Sequence, residues 1–203
     1  MVIGLYKIWT IFSYVGLLFG TLSIYFARIK DYKLAILFLM FSSLIDIFDG
    51  SFARRFERTK EEKKFGIEID SILDTINFGA IPIIIFLNMG YESLYDYIIV
   101  FLYLFVVTMR LAFFNSDLVN LKGNNSKYEI YYGFPVTTIP LFMALGYIIQ
   151  LITKVDIIMP LTLIVSSLLF ITKIKIKRYK NKWFNIILIS IALLLVSLLF
   201  MLG

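Results

Sequence analysis

Four aspartates set between long apolar runs are the residues of this chain best suited to chemistry: Asp46, Asp49, Asp70 and Asp74. On a helix, Asp46, Asp49, Gly50 and Ala53 fall at i, i+3, i+4 and i+7 and share one face. Gly66, Asp70 and Asp74 repeat the arrangement at i, i+4 and i+8. Two such faces, each with two carboxylates beside small residues, can close on one another. Carboxylates at membrane depth are costly, so four spaced to converge mark a functional site. Their oxygens suit Mg²⁺ or Mn²⁺ rather than zinc or copper. Two such cations about 4 Å apart are the common arrangement for phosphate-transfer chemistry. Gly50, Ala53 and Gly66 leave room on the same faces for a flat base or a diphosphate, and Arg54 could clamp a phosphate with its planar fork.

The elements that must position these groups are membrane helices. The chain has 203 residues, is 60% hydrophobic and has a mean hydropathy of +0.87. A soluble domain of this size could not hide so much apolar surface. Cysteine and histidine are both absent, which removes disulfides, thiolate metal sites and the usual general base, and leaves acid–base and metal work to carboxylates. The net charge of +6 does not indicate nucleic acid, because the basic residues cluster in short loops between apolar spans. The N-terminal stretch lacks a strong basic n-region and a clear small-residue cleavage site, so it reads as a first span rather than a signal peptide.

Segments long enough to cross roughly 30 Å of hydrocarbon at about 20 residues each run approximately Ile8–Ala27, Lys33–Phe52, Ile67–Asn88, Tyr97–Phe114, Phe134–Leu151, Ile157–Ile171 and Phe184–Leu202. The expected fold is an all-α integral membrane bundle of about six to eight helices, best counted as seven, forming one domain over residues 1–203. Pro82 predicts a kink in the third span, and Gly133-Phe134-Pro135 a turn leading into the fifth. Arg58–Lys64 reads as a solvated turn. The loop from Arg54 to Lys64, the pair Lys122 and Lys127, and the run Lys173–Lys182 share one side in a seven-span chain. The positive-inside rule makes that side cytoplasmic, with the charged end of the Asp46–Asp74 stretch facing it. The expected location is the cell membrane of a prokaryote.

Asp46-x2-Asp49-Gly50-x2-Ala53-Arg54, followed by Gly66-x3-Asp70-x3-Asp74, resembles the signature of the CDP-alcohol phosphatidyltransferases. The spacer of eleven residues between Arg54 and Gly66 is a few longer than the family pattern, and the extra length falls in the solvated turn, where insertion is cheap. The resemblance implies a helical membrane fold with two divalent cations held by the four aspartates. It implies that a CDP-linked lipid binds with its diphosphate on the metals, contacting Asp49, Gly50, Ala53, Arg54 and Gly66. Asp74 corresponds to the family's proposed general base, which takes a proton from the acceptor alcohol. A homodimer is also in keeping with the family. In the first span, members often show Asn-x2-Thr where this chain has Thr10-Ile11-Phe12-Ser13, so no nucleotide contact is carried onto Thr10.

Within the family, Ile69-Asp70-Ser71-x2-Asp74-x3-Phe78-Gly79, Arg110-Leu111-Ala112-x-Phe114-Asn115 and Gly133-Phe134-Pro135-Val136-Thr137-Thr138 resemble the serine-using members. Together the likeness covers most of residues 10–140, and the C-terminal third shows no matching motif. Arg110 lies in an apolar run where an unpaired cation is costly, and the carboxylate of L-serine offers it a bidentate partner. Asn115 and Ser71 complete the expected serine pocket. Two alternatives stand beside this reading. One is the same chemistry with glycerol 3-phosphate or an inositol phosphate as acceptor, which would want more cations than Arg54 and Arg110. The other is a cation-coupled transporter, for which no inverted repeat or paired broken helices are visible.

Overall fold

A computed structural model describes residues 4–116, 128–179 and 182–202. Lys122, Lys127 and Lys180, which entered the loop-charge tally, lie outside the described residues. The order of elements is α1 (Ile8–Arg28), α2 (Tyr32–Ala53), α3 (Lys60–Asp74), a π-helical turn (Thr75–Ala80), α4 (Ile81–Asn88), α5 (Leu94–Asn115), β1 (Tyr128–Tyr132), a 3-10 turn (Val136–Thr138), α6 (Ile139–Thr153), α7 (Ile158–Ile171), β2 (Lys175–Tyr179) and α8 (Lys182–Met201). Each segment expected to span coincides with a helix or a run of helices. Among the described residues, four stretches are long and apolar enough to cross a membrane: Ile8–Arg28, Lys60–Asn88, Leu94–Asn115 and Val136–Thr153. α7 and Ser190–Met201 are shorter apolar helices. Large apolar side chains such as Leu18, Phe101, Leu168 and Leu193 point outward, as suits a lipid solvent.

The chain forms two compact units, residues 1–90 and 91–203. In the first, α1 packs along α2 through a tight hairpin. Gly16, Gly20, Ser23 and Ala27 are buried on α1 at i, i+4, i+7 and i+11, a small-residue stripe that lets backbones approach closely. The Ser23 hydroxyl donates to the Ala35 carbonyl across the pair at 2.7 Å. Lys30 turns the chain with φ 63°, and Asp31 caps α2 by accepting from the Leu34 N–H at 3.1 Å. Phe12 stacks on Phe52, and Phe26 on Phe38, with ring centroids 4.6 and 4.9 Å apart. α3 opens on a capping box of Thr59 and Glu62, and Lys7 pairs with Glu62 at 3.6 Å, tying the start of α3 to the start of α1.

The break expected at Pro82 takes a different form. Pro82 sits in the first turn of α4, directly after the π-helical turn that follows Asp74. Proline has no N–H to donate and its ring crowds the carbonyl four residues earlier, and the wider winding lies immediately before it. The helix is therefore rewound one turn earlier than the proline itself.

In the second unit, α7 packs on α5 and α6, and α8 packs on α6. Gly133 adopts φ +69°, and a side chain there would lie 2.8 and 2.9 Å from the Phe170 and Thr172 carbonyls. Only glycine fits that close approach. The Gly133 N–H donates to the Ile174 carbonyl at 2.9 Å, and the Phe134 N–H to the Leu169 carbonyl at 3.2 Å. The expected turn before α6 is thus docked on the end of α7. β1 and β2 pair antiparallel, with Tyr128 opposite Tyr179, so part of the basic run Lys173–Lys182 is a strand of a two-stranded ribbon attached to an otherwise helical fold.

Candidate metal centre

α2 and α3 carry the four aspartates, and the first unit brings three of them together. Carboxylate oxygens of Asp46, Asp70 and Asp74 lie within 4.8 Å of one another. Among the described residues they are the one such group of three or more. Three carboxylates this close repel strongly, and a divalent cation among them offsets that repulsion. All the donors are hard oxygens, so the set fits Mg²⁺ or Mn²⁺. A cavity of about 10 Å³, ion- or water-sized, lies among Asp46, Asp49, Asp70 and Asp74, with Ser13 and Gly16 from α1, Ser42 and Ile45 from α2, Leu73 from α3 and Asn77 from the π-helical turn.

Asp49 faces the same cavity but stands outside the group of three. It is buried, and the Ser13 hydroxyl donates to its Oδ2. The small residues of the motif differ among themselves. Beside Gly50 the space is open, with only an Arg54 nitrogen 3.6 Å from where a Cβ would sit. Ala53 is buried. Gly66 is lined rather than open, since a Cβ there would lie 3.4 Å from Arg58 Nη1 and 3.5 Å from the Trp9 ring. Arg54 is exposed at the C-terminal end of α2.

Arg58 corrects the expectation of a fully solvated turn. Its guanidinium lies 5.4 Å from the centroid of the buried Trp9 ring and interacts electrostatically with Asp49. An arginine stem covering an aromatic face is favourable both as packing and as a cation–π contact. Together with the Lys7–Glu62 pair, it fastens the α2–α3 connection to α1.

The expected serine-pocket residues are divided. Ser71 lies on α3, where its carbonyl accepts from the Thr75 hydroxyl at 2.8 Å. Arg110 and Asn115 belong to α5 in the second unit. Arg110 is buried; its Nε donates to the Phe134 carbonyl at 2.8 Å, and its guanidinium lies 4.5 Å from the Phe114 ring centroid. Asn115 is exposed at the end of α5.

Sequence reasoning did not single out Ser13 as a partner of Asp49, nor Ser42 and Asn77 as lining residues. Ser42 precedes Asp46 by four residues and Asn77 follows Asp74 by three. Extending the two helical faces by one turn would have found both.

A helical membrane protein with converging acidic side chains at the junction of three helices is the class that fold and site define. The family model for CDP-alcohol phosphatidyltransferase matches residues 7–171, and the chain belongs to that family of membrane transferases. The match continues well past the last motif recognised in the sequence. Three similar proteins carry the name CDP-diacylglycerol–serine O-phosphatidyltransferase. That of Methanocaldococcus jannaschii is 31% identical over 95% of this chain and 86% of its own length. That of Helicobacter pylori is 25% identical over 97% of this chain and 82% of its own. That of Saccharomyces cerevisiae is 29% identical over 56% of this chain and 41% of its own length.

Proposed function

We propose that this chain transfers the phosphatidyl group of a CDP-linked lipid to the hydroxyl of L-serine and releases CMP. The observation that carries the reading is the convergence of Asp46, Asp70 and Asp74 from α2 and α3. The relatives' names support serine as the acceptor.

Asp46, Asp49, Asp70 and Asp74 would hold two divalent cations, Mg²⁺ or Mn²⁺. When bound, these supply Lewis-acid stabilisation of the diphosphate and of the charge that develops in displacement. The open side of Gly50 admits the nucleotide part of the donor, beside Asp49, Ala53 and Gly66, and the exposed Arg54 fork takes a phosphate oxygen. Asp74 accepts the proton of the serine hydroxyl. The serine oxygen then forms a bond to the lipid-bearing phosphorus, and the bond from that phosphorus to the bridging oxygen breaks. The electron pair leaves with CMP. Arg110, anchored by the Phe134 carbonyl and the Phe114 ring, receives the serine carboxylate, and Asn115 and Ser71 are the other serine contacts of this reading. Holding the acceptor in line with the leaving group supplies much of the rate. The charged ends of α2 and α3 face the cytoplasm of a prokaryotic cell, where CDP-lipid headgroups and serine are available.

The test is CMP release by purified protein with Mg²⁺ or Mn²⁺, offering CDP-diacylglycerol or an ether-linked CDP-lipid. L-Serine, glycerol 3-phosphate and inositol phosphate are compared as acceptors. Cation-dependent release stimulated by serine alone is expected. Release with another acceptor overturns the roles of Arg110 and Ser71 while leaving the aspartate centre intact.

A further inference from the structure

Two neutral polar side chains that line the aspartate cavity each carry a buried oxygen left unpaired among the described residues. Ser42 is fully buried and Asn77 is 4% exposed; both line the cavity. Ser42 Oγ and Asn77 Oδ1 have no hydrogen-bond partner among the described residues. Buried polar atoms are almost always paired, so two orphans on side chains that line one cavity call for a ligand. Their placement is also regular. Ser42, Asp46 and Asp49 fall at i, i+4 and i+7 on α2, and Asp70, Asp74 and Asn77 at i, i+4 and i+7 along α3 and the π-helical turn. Each helix thus adds one oxygen beyond its two carboxylates, a turn further from the α2–α3 connection.

The opposing helix makes room for this pair. A Cβ at Gly20 of α1 would lie 2.3 Å from Asn77 Oδ1 and 2.6 Å from Ile81 Cδ1. A residue larger than glycine there would force the amide out of its position. Gly20 therefore does more than let α1 and α2 approach: its missing side chain leaves the space that the Asn77 amide occupies.

We propose that Ser42 and Asn77 complete the coordination of a divalent cation held by Asp46, Asp70 and Asp74, bonding the ion or one of its waters from the inner side of the site. The inference rests on the reading of the aspartates as a cation centre. Neutral oxygens suit this position. Aspartates already supply the charge, and Mg²⁺ and Mn²⁺ retain waters that need acceptors and orientation.

The test is Mn²⁺ binding to the purified full-length protein in detergent, followed by electron paramagnetic resonance of the free ion, with no lipid or serine present. Loss of an outer partner of a bound metal typically weakens affinity about 10- to 100-fold. Asn77→Ala is expected to show a loss of that size, and Asn77→Asp, which keeps an oxygen in place, to retain binding. Ser42→Ala should weaken binding in the same direction. Gly20→Ala, which leaves Asn77 in the chain but takes the space of its amide oxygen, should weaken binding in the same direction as Asn77→Ala. Mn²⁺ affinity within twofold of the parent in both Asn77→Ala and Gly20→Ala, with Asp70→Asn unable to bind, overturns the role of Asn77 and leaves the aspartate centre standing. Undiminished binding by Asp70→Asn overturns the cation centre itself, and this inference with it.

Discussion

Replacing Ser13 by alanine tests whether Asp49 must be held by α1 for the donor lipid to bind. Ser13 lies outside the aspartate motif, and its hydroxyl donates to a carboxylate oxygen of the buried Asp49. A hydrogen bond to a charged group is worth about 1.5–3 kcal/mol. At about 1.4 kcal/mol per factor of ten, its loss corresponds to roughly a 10- to 100-fold change. Arg58 also interacts with Asp49 and offsets part of the loss, so the lower end of that range is expected. The change should appear as a raised CDP-lipid KM and a raised requirement for Mg²⁺ or Mn²⁺. The serine KM should stay near its parent value, because no acceptor contact is assigned to Asp49. Ser13→Thr, which keeps the hydroxyl, should recover most of the loss. The assay is CMP release over a matrix of CDP-lipid, cation and serine concentrations. Equal CDP-lipid and cation requirements in Ser13→Ala and the parent would refute the reasoning, since Asp49 would then be competent without its donor. An effect confined to the serine KM would refute the assignment of Asp49 to the donor side.

Three further outcomes are expected. Asp74→Asn should abolish CMP release while CDP-lipid binding, measured by equilibrium retention of a labelled donor, is largely kept; near-normal turnover would remove Asp74 as the base. Arg110→Ala should raise the serine KM far more than the CDP-lipid KM in the same release assay, and equal effects on both would end its role as carboxylate clamp. Gly50→Val should leave thermal unfolding within about 1 kcal/mol of the parent, given helix propensities and the open space beside Gly50. It should also cut CDP-lipid binding sharply, and unchanged donor binding would show that the nucleotide lies elsewhere.

Much of this protein was legible before any coordinates. Apolar runs of membrane length can satisfy their backbone only as helices, so each expected span falls on a helix or run of helices, although α3 begins at Lys60, inside the stretch expected as a solvated turn. The face shared by Asp46, Asp49 and Gly50, and that shared by Gly66, Asp70 and Asp74, follow from the helical period alone. Because the motif is long and mixed in residue type, it also led to the right family. Partners brought in from outside a helix's own period were not legible. Nothing in the spacing of Ser13 indicates that α1 presents it to Asp49. Arg58 sits in a run of charges that reads as solvent-facing, yet its guanidinium lies over Trp9 at the start of α1. Gly20 reads as one more small residue in a packing stripe.

The sequence by itself therefore determined the solvent this chain lives in, the order of its helices, the family it belongs to and the four carboxylates it presents. Periodicity and composition are local properties and carry that much. Tertiary structure alone decided that Asp46, Asp70 and Asp74 gather while Asp49 is held aside by Ser13, and that Ser42 and Asn77 line the same cavity, unpaired among the described residues. Each of these depends on the distance between helices, which is set by how small residues such as Gly16 and Gly20 let backbones approach, and no period along one chain segment encodes it.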